Sequence, residues 1–193
     1  MTPPPLQATR FDRVQRRLAE ALLRPYAQAV LSKSVVSGAL VALSEHPEQW
    51  AALRAQPERI PLAVEEALRW TTPVTSFLRT ATRDVEVHGE TIRAGEPVLL
   101  VYAAANRDER HFENPDALDL DRPNSRSQIG FGAGVHFCLG APLARRELAI
   151  GFRAFVDHID DFELIDPNMS FEYQKNFALR ALTSLPIRFT KKK

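Results

Sequence analysis

Apolar residues along the chain change their spacing twice, and each change predicts a different kind of element. From 11 to 31 they fall at Phe11, Val14, Leu18, Leu22, Tyr26, Ala29 and Val30. That is helical spacing, interrupted at Pro25. Val35, Val36, Ala39, Leu40 and Leu43 predict a second helix, closed by His46-Pro47. A short helix is expected over 48–55, bounded by Pro57. The next starts at Pro61, where a first helical turn accepts proline, and runs to Trp70 before Thr71-Thr72-Pro73.

The period then shortens. Strands are expected over 77–82, 85–87 and 98–102, with turns at His88-Gly89-Glu90 and Ala94-Gly95-Glu96. A short helix is expected over 103–112, and 114–128 reads as an irregular loop. A long helix over 139–159 places Leu148, Phe152, Phe155, Val156 and Ile159 on one face. Short strands over 162–164, 177–182 and 187–189 close the chain. Helices first, then a small sheet, then a helix and more strands: the fold class is mainly α (α+β) rather than a doubly wound parallel sheet.

Composition narrows the picture. The chain has 193 residues, 45% apolar and 25% charged, with 1 Cys. This supports a packed core and excludes a disulfide framework. No apolar run is long enough for a membrane-spanning helix, and the start, Met1 to Pro5, shows no secretory signal, so a reduced, cytoplasmic setting is expected. Net charge is +1, but the cations gather at the ends: Arg10, Arg13, Arg16, Arg17, Arg24 and Lys33 before residue 34, and Lys191 to Lys193 at the tail. The body between them is acidic, which argues against nucleic-acid binding.

The chemistry is concentrated in one segment, Phe131-Gly132-Ala133-Gly134-Val135-His136-Phe137-Cys138-Leu139-Gly140. The single cysteine ends a glycine-rich loop and opens a predicted helix, where free N–H groups and the helix dipole favour a thiolate. Glycines at 132, 134 and 140 let the backbone pass close to something flat or bulky. A thiolate so held is a soft ligand, suited to a metal or haem iron. An inert buried cysteine is the plain alternative. A catalytic cysteine would need a base, and His136 is close, although such pairs are usually distant in sequence. Zinc spacing is absent among His46, His88, His111, His136 and His158. A phosphate loop fails because Phe137 stands where a third glycine is needed, and covalent haem fails for want of C-x-x-C-H.

Residues 131–140 resemble the haem-binding loop of the cytochrome P-450 monooxygenases, F-G-x-G-x-H-x-C-x-G, at every fixed position. Glu66-Ala67-Leu68-Arg69 is similar to the family's E-x-x-R pair, and Arg122 lies where its third charged partner is found. The resemblance implies that Glu66, Arg69 and Arg122 form a structural cluster behind the haem. It implies haem b, bound non-covalently, with iron on the axial thiolate of Cys138. Arg79 and His136 are then expected to bind the propionates, and Phe131, Gly132, Gly134 and Gly140 to shape the cradle. Val74, Thr75, Phe177 and Ala178 are the expected pocket contributors, suited to a lipophilic small molecule. A ferredoxin and ferredoxin reductase would supply electrons, with Arg145 and Arg146 steering that acidic partner.

By this resemblance the chain is the C-terminal half of the family's fold, helices with a small mixed or antiparallel sheet. Residues 34–193 are the truncated haem-binding region, and 1–33 a non-family, partly helical extension. The family's acid–alcohol pair for proton delivery would fall at Val30-Leu31, which can relay no proton. Three readings stay open: a haem-thiolate monooxygenase; a truncated member that binds haem weakly or not at all and lacks catalytic competence; or a non-enzymatic module docking through the basic amphipathic segment 11–31.

Overall fold

A computed structural model describes residues 30–166 and 168–192. The helical spacing over 11–29 lies outside them. Helix α1 (Val30–Glu45) already includes residues 30–33, so the division expected between 33 and 34 falls inside a helix. Val35, Ala39, Leu40, Ala42 and Leu43 form its buried face. Pro47 opens α2 (Pro47–Ala55), with Glu48 in the first turn and Arg54 in the last, each at the favourable end of the dipole. Trp50 and Leu53 are its buried side chains.

A 3₁₀ turn (Pro57–Arg59) leads into α3 (Ile60–Thr71). This helix buries Ala63, Val64, Ala67 and Leu68, and with them the charged Glu65, Glu66 and Arg69. It stops where Thr72 enters the left-handed region at φ 36°, held by its N–H on the Leu68 carbonyl and its hydroxyl on the Arg69 carbonyl. Gly38 lets α1 approach α3: a Cβ there would stand 2.6 Å from Thr71 Cγ2. Helix α4 (Tyr102–Ala105) is short, and α5 (Ala141–His158) is the long helix after the cysteine. Leu148, Phe152 and Val156 of α5 complete the core with α1 and α3.

The strands form three separate antiparallel ladders, not one small sheet. They pair β1 (Ser76–Thr80) with β4 (Pro97–Val101), β2 (Val85–Val87) with β3 (Glu90–Ile92), and β5 (Ile159–Leu164) with β6 (Ile187–Lys191). The expected turn at His88-Gly89-Glu90 is tighter than its sequence suggests: His88 and Gly89 carry positive φ, and Glu90 already belongs to β3.

Two expected elements are not regular. Of the stretch 103–112 only residues 103–105 are helical, as the end of Tyr102–Ala105. The Asn106 carbonyl that a longer helix would use accepts instead from Arg69 Nη1 at 2.8 Å. Residues 177–182 are not a strand, and their pairing is confined to bridges at Leu179 and Leu182. The Asn176 carboxamide takes the N–H groups of Ala178 and Leu179, turning the chain back.

Candidate functional site

The cysteine loop is built as a closed turn ahead of α5. Gly132 N–H donates to the Ile129 carbonyl at 2.8 Å, Gly134–His136 makes a 3₁₀ turn, and Cys138 N–H donates back to the Phe131 carbonyl at 3.0 Å. The helix expected from Leu139 begins at Ala141, whose N–H bonds the Cys138 carbonyl. Gly132 and Gly134 stand at φ 72° and 69°, a conformation other residues resist. Cys138 is half-buried, and a Cβ on Gly140 would come into ordinary contact with its Sγ at 3.7 Å.

Around the sulphur the chain presents apolar surface. Val135 is 97% and Leu139 98% exposed, and Phe137 and Leu143 are also exposed. The β1–β4 ladder adds exposed Phe77, Leu78, Leu99, Leu100 and Val101. The two regions meet at Tyr102: its ring stacks edge-on against Phe77 at 6.2 Å, and its hydroxyl lies 3.4 Å from the place of a Cβ on Gly132.

His136 is exposed on the loop. Arg79 is half-buried on β1. Its guanidinium donates to the Leu78 carbonyl at 2.9 Å and stacks on Phe77 at 5.5 Å, with no carboxylate partner among the described residues. The exposed apolar surroundings, the glycines beside a thiol, and the nitrogen donors of Arg79 and His136 are a donor set that fits haem. Among the described residues no cluster of three His, Cys, Asp or Glu could hold a metal ion by itself.

Glu66, Arg69 and Arg122 are brought together in the interior, 0%, 0% and 3% exposed. Arg69 Nε and Nη2 each reach a Glu66 oxygen at 2.8 Å, and Arg122 Nε lies 3.2 Å from both oxygens. The remaining guanidinium groups donate to backbone carbonyls of Asn106, Glu113, Asn114, Pro115 and Ala117. Asp119 N–H also donates to Glu66. The cluster therefore pins the irregular loop 106–122 to α3. Beside it Arg107 stacks on Trp70 at 4.0 Å; burial and then the neighbouring Arg69 charge lower its pKa below the ordinary arginine value.

Val74, Thr75, Phe177 and Ala178 also come together. Val74 bridges to Leu179, Thr75 N–H donates to the Ala178 carbonyl at 2.8 Å, and the Thr75 hydroxyl reaches the Phe177 carbonyl. Val74 is buried, while Phe177 is 87% exposed.

Arg145 is not a free surface cation. It holds the carboxylate of buried Glu65 through Nε at 2.5 Å and Nη2 at 3.1 Å. Gln128 Nε2 donates to the same carboxylate at 3.2 Å and its Oε1 accepts from Gly130 N–H at 2.7 Å. Arg146 is exposed. Glu65, Gln128 and Asn106 carry no local sequence signal. Glu65 meets its partner across 80 positions, and Asn106 reaches Thr72 and the Ile129 N–H through its side chain.

The cytochrome P450 family profile matches residues 58–183. The chain is similar to cytochrome P450-terp of Pseudomonas sp, 43% identical over 160 residues, which are 83% of this chain and 36% of that protein. It is similar to a steroid C26-monooxygenase of Mycolicibacterium smegmatis, 40% identical over 82% of this chain and 39% of the relative. Its fold matches the solved structure of cytochrome P450 CYP109Q5 from Chondromyces apiculatus with a TM-score of 0.76 and 37% identity, covering 83% of this chain and 41% of that one. The chain thus spans about 40% of the length of these relatives.

Proposed function

The chain belongs to the cytochrome P450 family, and on that premise we propose that residues 34–193 form the haem-binding region of a haem-thiolate monooxygenase, with Cys138 as the axial ligand. One observation carries the reading: a single half-exposed cysteine on a loop with two left-handed glycines, whose neighbours Val135, Phe137 and Leu139 turn apolar side chains to the surface. Haem b bound there supplies the iron that activates O2 for insertion into an unactivated C–H bond.

The residues of the chain divide the remaining work. Phe131, Gly132, Gly134 and Gly140 shape the surface against the macrocycle. Arg79 and His136 offer donors for the propionates. The Glu66–Arg69–Arg122 cluster holds the frame. Val74, Thr75, Phe177 and Ala178 supply one side of a pocket for a lipophilic small molecule, a class consistent with the steroid in one relative's name. A ferredoxin-type donor supplies electrons, meeting exposed Arg146.

A second reading, a family member that takes up haem without turning over, is favoured by Val30 and Leu31 at the position of the acid–alcohol pair. The test is to load the full chain with haem, reduce it and add carbon monoxide. The first outcome expected is the red-shifted Soret band of thiolate ligation, lost in Cys138→Ser. An unchanged band in that variant, or no haem uptake by the parent chain, overturns the assignment of Cys138. Turnover with reducing equivalents and O2 in the presence of a sterol, terpene or fatty acid then separates the two readings: coupled oxidation of the added molecule supports the first, and its absence the second.

A further inference from the structure

Helix α3 carries a second buried carboxylate immediately before Glu66, and the structural cluster makes no use of it. Glu65 is only 6% exposed. Successive helical residues are offset by about 100°, so while Glu66 faces the loop 106–122, Glu65 faces α5 and the entry to the cysteine loop.

We propose that Glu65 and Arg145 form a positioning pair that fixes the Cys138 loop from both of its ends. This rests on the reading of Cys138 as the haem ligand. The exit end is held because Arg145, on the second turn of α5, grips Glu65 with two hydrogen bonds. The entry end is held twice. Gln128 bridges the Glu65 carboxylate to Gly130 N–H, and the Arg145 guanidinium lies over the Phe131 ring at 4.8 Å. Phe131 in turn supplies the carbonyl that receives Cys138 N–H at 3.0 Å. One carboxylate on a core helix therefore sets both the strand of loop that precedes the sulphur and the helix that follows it. A partly buried pair of this kind contributes geometry more than net stability. Its planar, two-pronged contact suits arginine and not lysine.

Because Cys138 is the chain's one cysteine, its alkylation by iodoacetamide in the haem-free chain reports the loop alone. In the full chain, Glu65→Gln and Arg145→Gln are expected to raise the alkylation rate about fivefold or more, through local opening at unchanged helix content by circular dichroism. Arg145→Lys keeps the charge but loses the fork and the ring contact, and is expected to fall between them and the parent. Arg153→Gln, which removes an exposed cation paired with Asp157 on the same helix, is expected to leave the rate unchanged. In the haem-loaded, reduced chain with carbon monoxide, Glu65→Gln and Arg145→Gln should move intensity from the thiolate band to that of a neutral ligand.

A folded Glu65 or Arg145 variant with the parent alkylation rate overturns the proposal. So does an Arg153→Gln rate raised as far as theirs. If Glu65→Gln loses its helix signal, Arg145→Lys decides the matter in the same assay. Faster alkylation in the variants of a chain that shows no thiolate band leaves the positioning role standing and removes the haem assignment.

Discussion

Around Glu66 the chain answers every charge with its own atoms; around Cys138 it turns large apolar side chains outward. The first region holds a carboxylate and two guanidiniums at 0–3% exposure, with the loop carbonyls of 106–117 taking up the remaining donors. Charges buried to that degree are tolerated only when fully paired. The second region has a Leu139 exposed to 98% and a ladder, β1–β4, with apolar side chains facing water. Exposed apolar surface on this scale marks a place where something else packs. The contrast separates two jobs: one region holds the chain together, and the other leaves apolar surface for something else to pack against.

The largest expected effect breaks the first region. Glu66→Ala strands Arg69 and Arg122 together in the interior with no anion between them. Removing one partner of a buried ion pair costs about 3–5 kcal/mol, a large fraction of the stability of an ordinary domain. Urea unfolding followed by circular dichroism should show a loss of that size. A loss below about 1 kcal/mol would mean that the carbonyls alone hold the two arginines, and the contrast with the cysteine surface would collapse.

The next effect is smaller and falls on the second region. Gly132→Ala forces a side chain into the left-handed region at φ 72°, worth about 1–2 kcal/mol, and sets its Cβ 3.4 Å from the Tyr102 hydroxyl. The urea midpoint should fall modestly. Haem uptake, read from the Soret absorbance of the loaded chain, should fall more steeply, because the strain sits where β1 and the cysteine loop meet. Equal losses in both measurements would make the loop part of the fold rather than part of the site.

The two regions also differed in how far the sequence revealed them. Prolines 47, 57 and 61 bounded α2 and α3 closely, because a ring that fixes φ and lacks a donor leaves few choices. Glu66 and Arg69 were legible as a spacing on one helix turn, and Arg122 only through the family pattern. The cysteine and its glycines were legible as a motif, since the positive φ at 132 and 134 strongly favours glycine. What stayed hidden depends on side chains claiming backbone groups at a distance. Arg69 takes the Asn106 carbonyl and ends a helix that the run of alanines favours. Asn176 takes two N–H groups and replaces an apparent strand by a turn. Glu65 and Arg145, each read alone, look like charges on solvated helix faces; only the packing of α3 against α5 makes them a pair.

The smallest effect lies at the solvent edge of the first region. Asp108 accepts from its neighbour Arg110 through Nε at 2.9 Å and Nη2 at 2.6 Å, and from the Arg110 backbone N–H at 3.0 Å. Its carbonyl receives Phe112 N–H at 2.8 Å, and the Phe112 ring stacks under Arg69 at 5.3 Å. The turn at Asp108 is thus the outer support of the Glu66 cluster. The side-chain hydrogen bonds from Arg110, and then its backbone N–H, hold the Asp108 carboxyl down to about 2 from an ordinary 3.8. A folded pKa below the unfolded one stabilises the chain above the unfolded value, and that stabilisation is lost as pH falls through the folded value. Asp108→Asn should therefore lie slightly below the parent in urea midpoint at neutral pH. The gap should stay constant down to about pH 4 and close between about pH 4 and about pH 2. A gap that does not change with pH would assign the effect to the geometry of the turn, and the charge on Asp108 would then contribute nothing to holding Phe112 against the cluster.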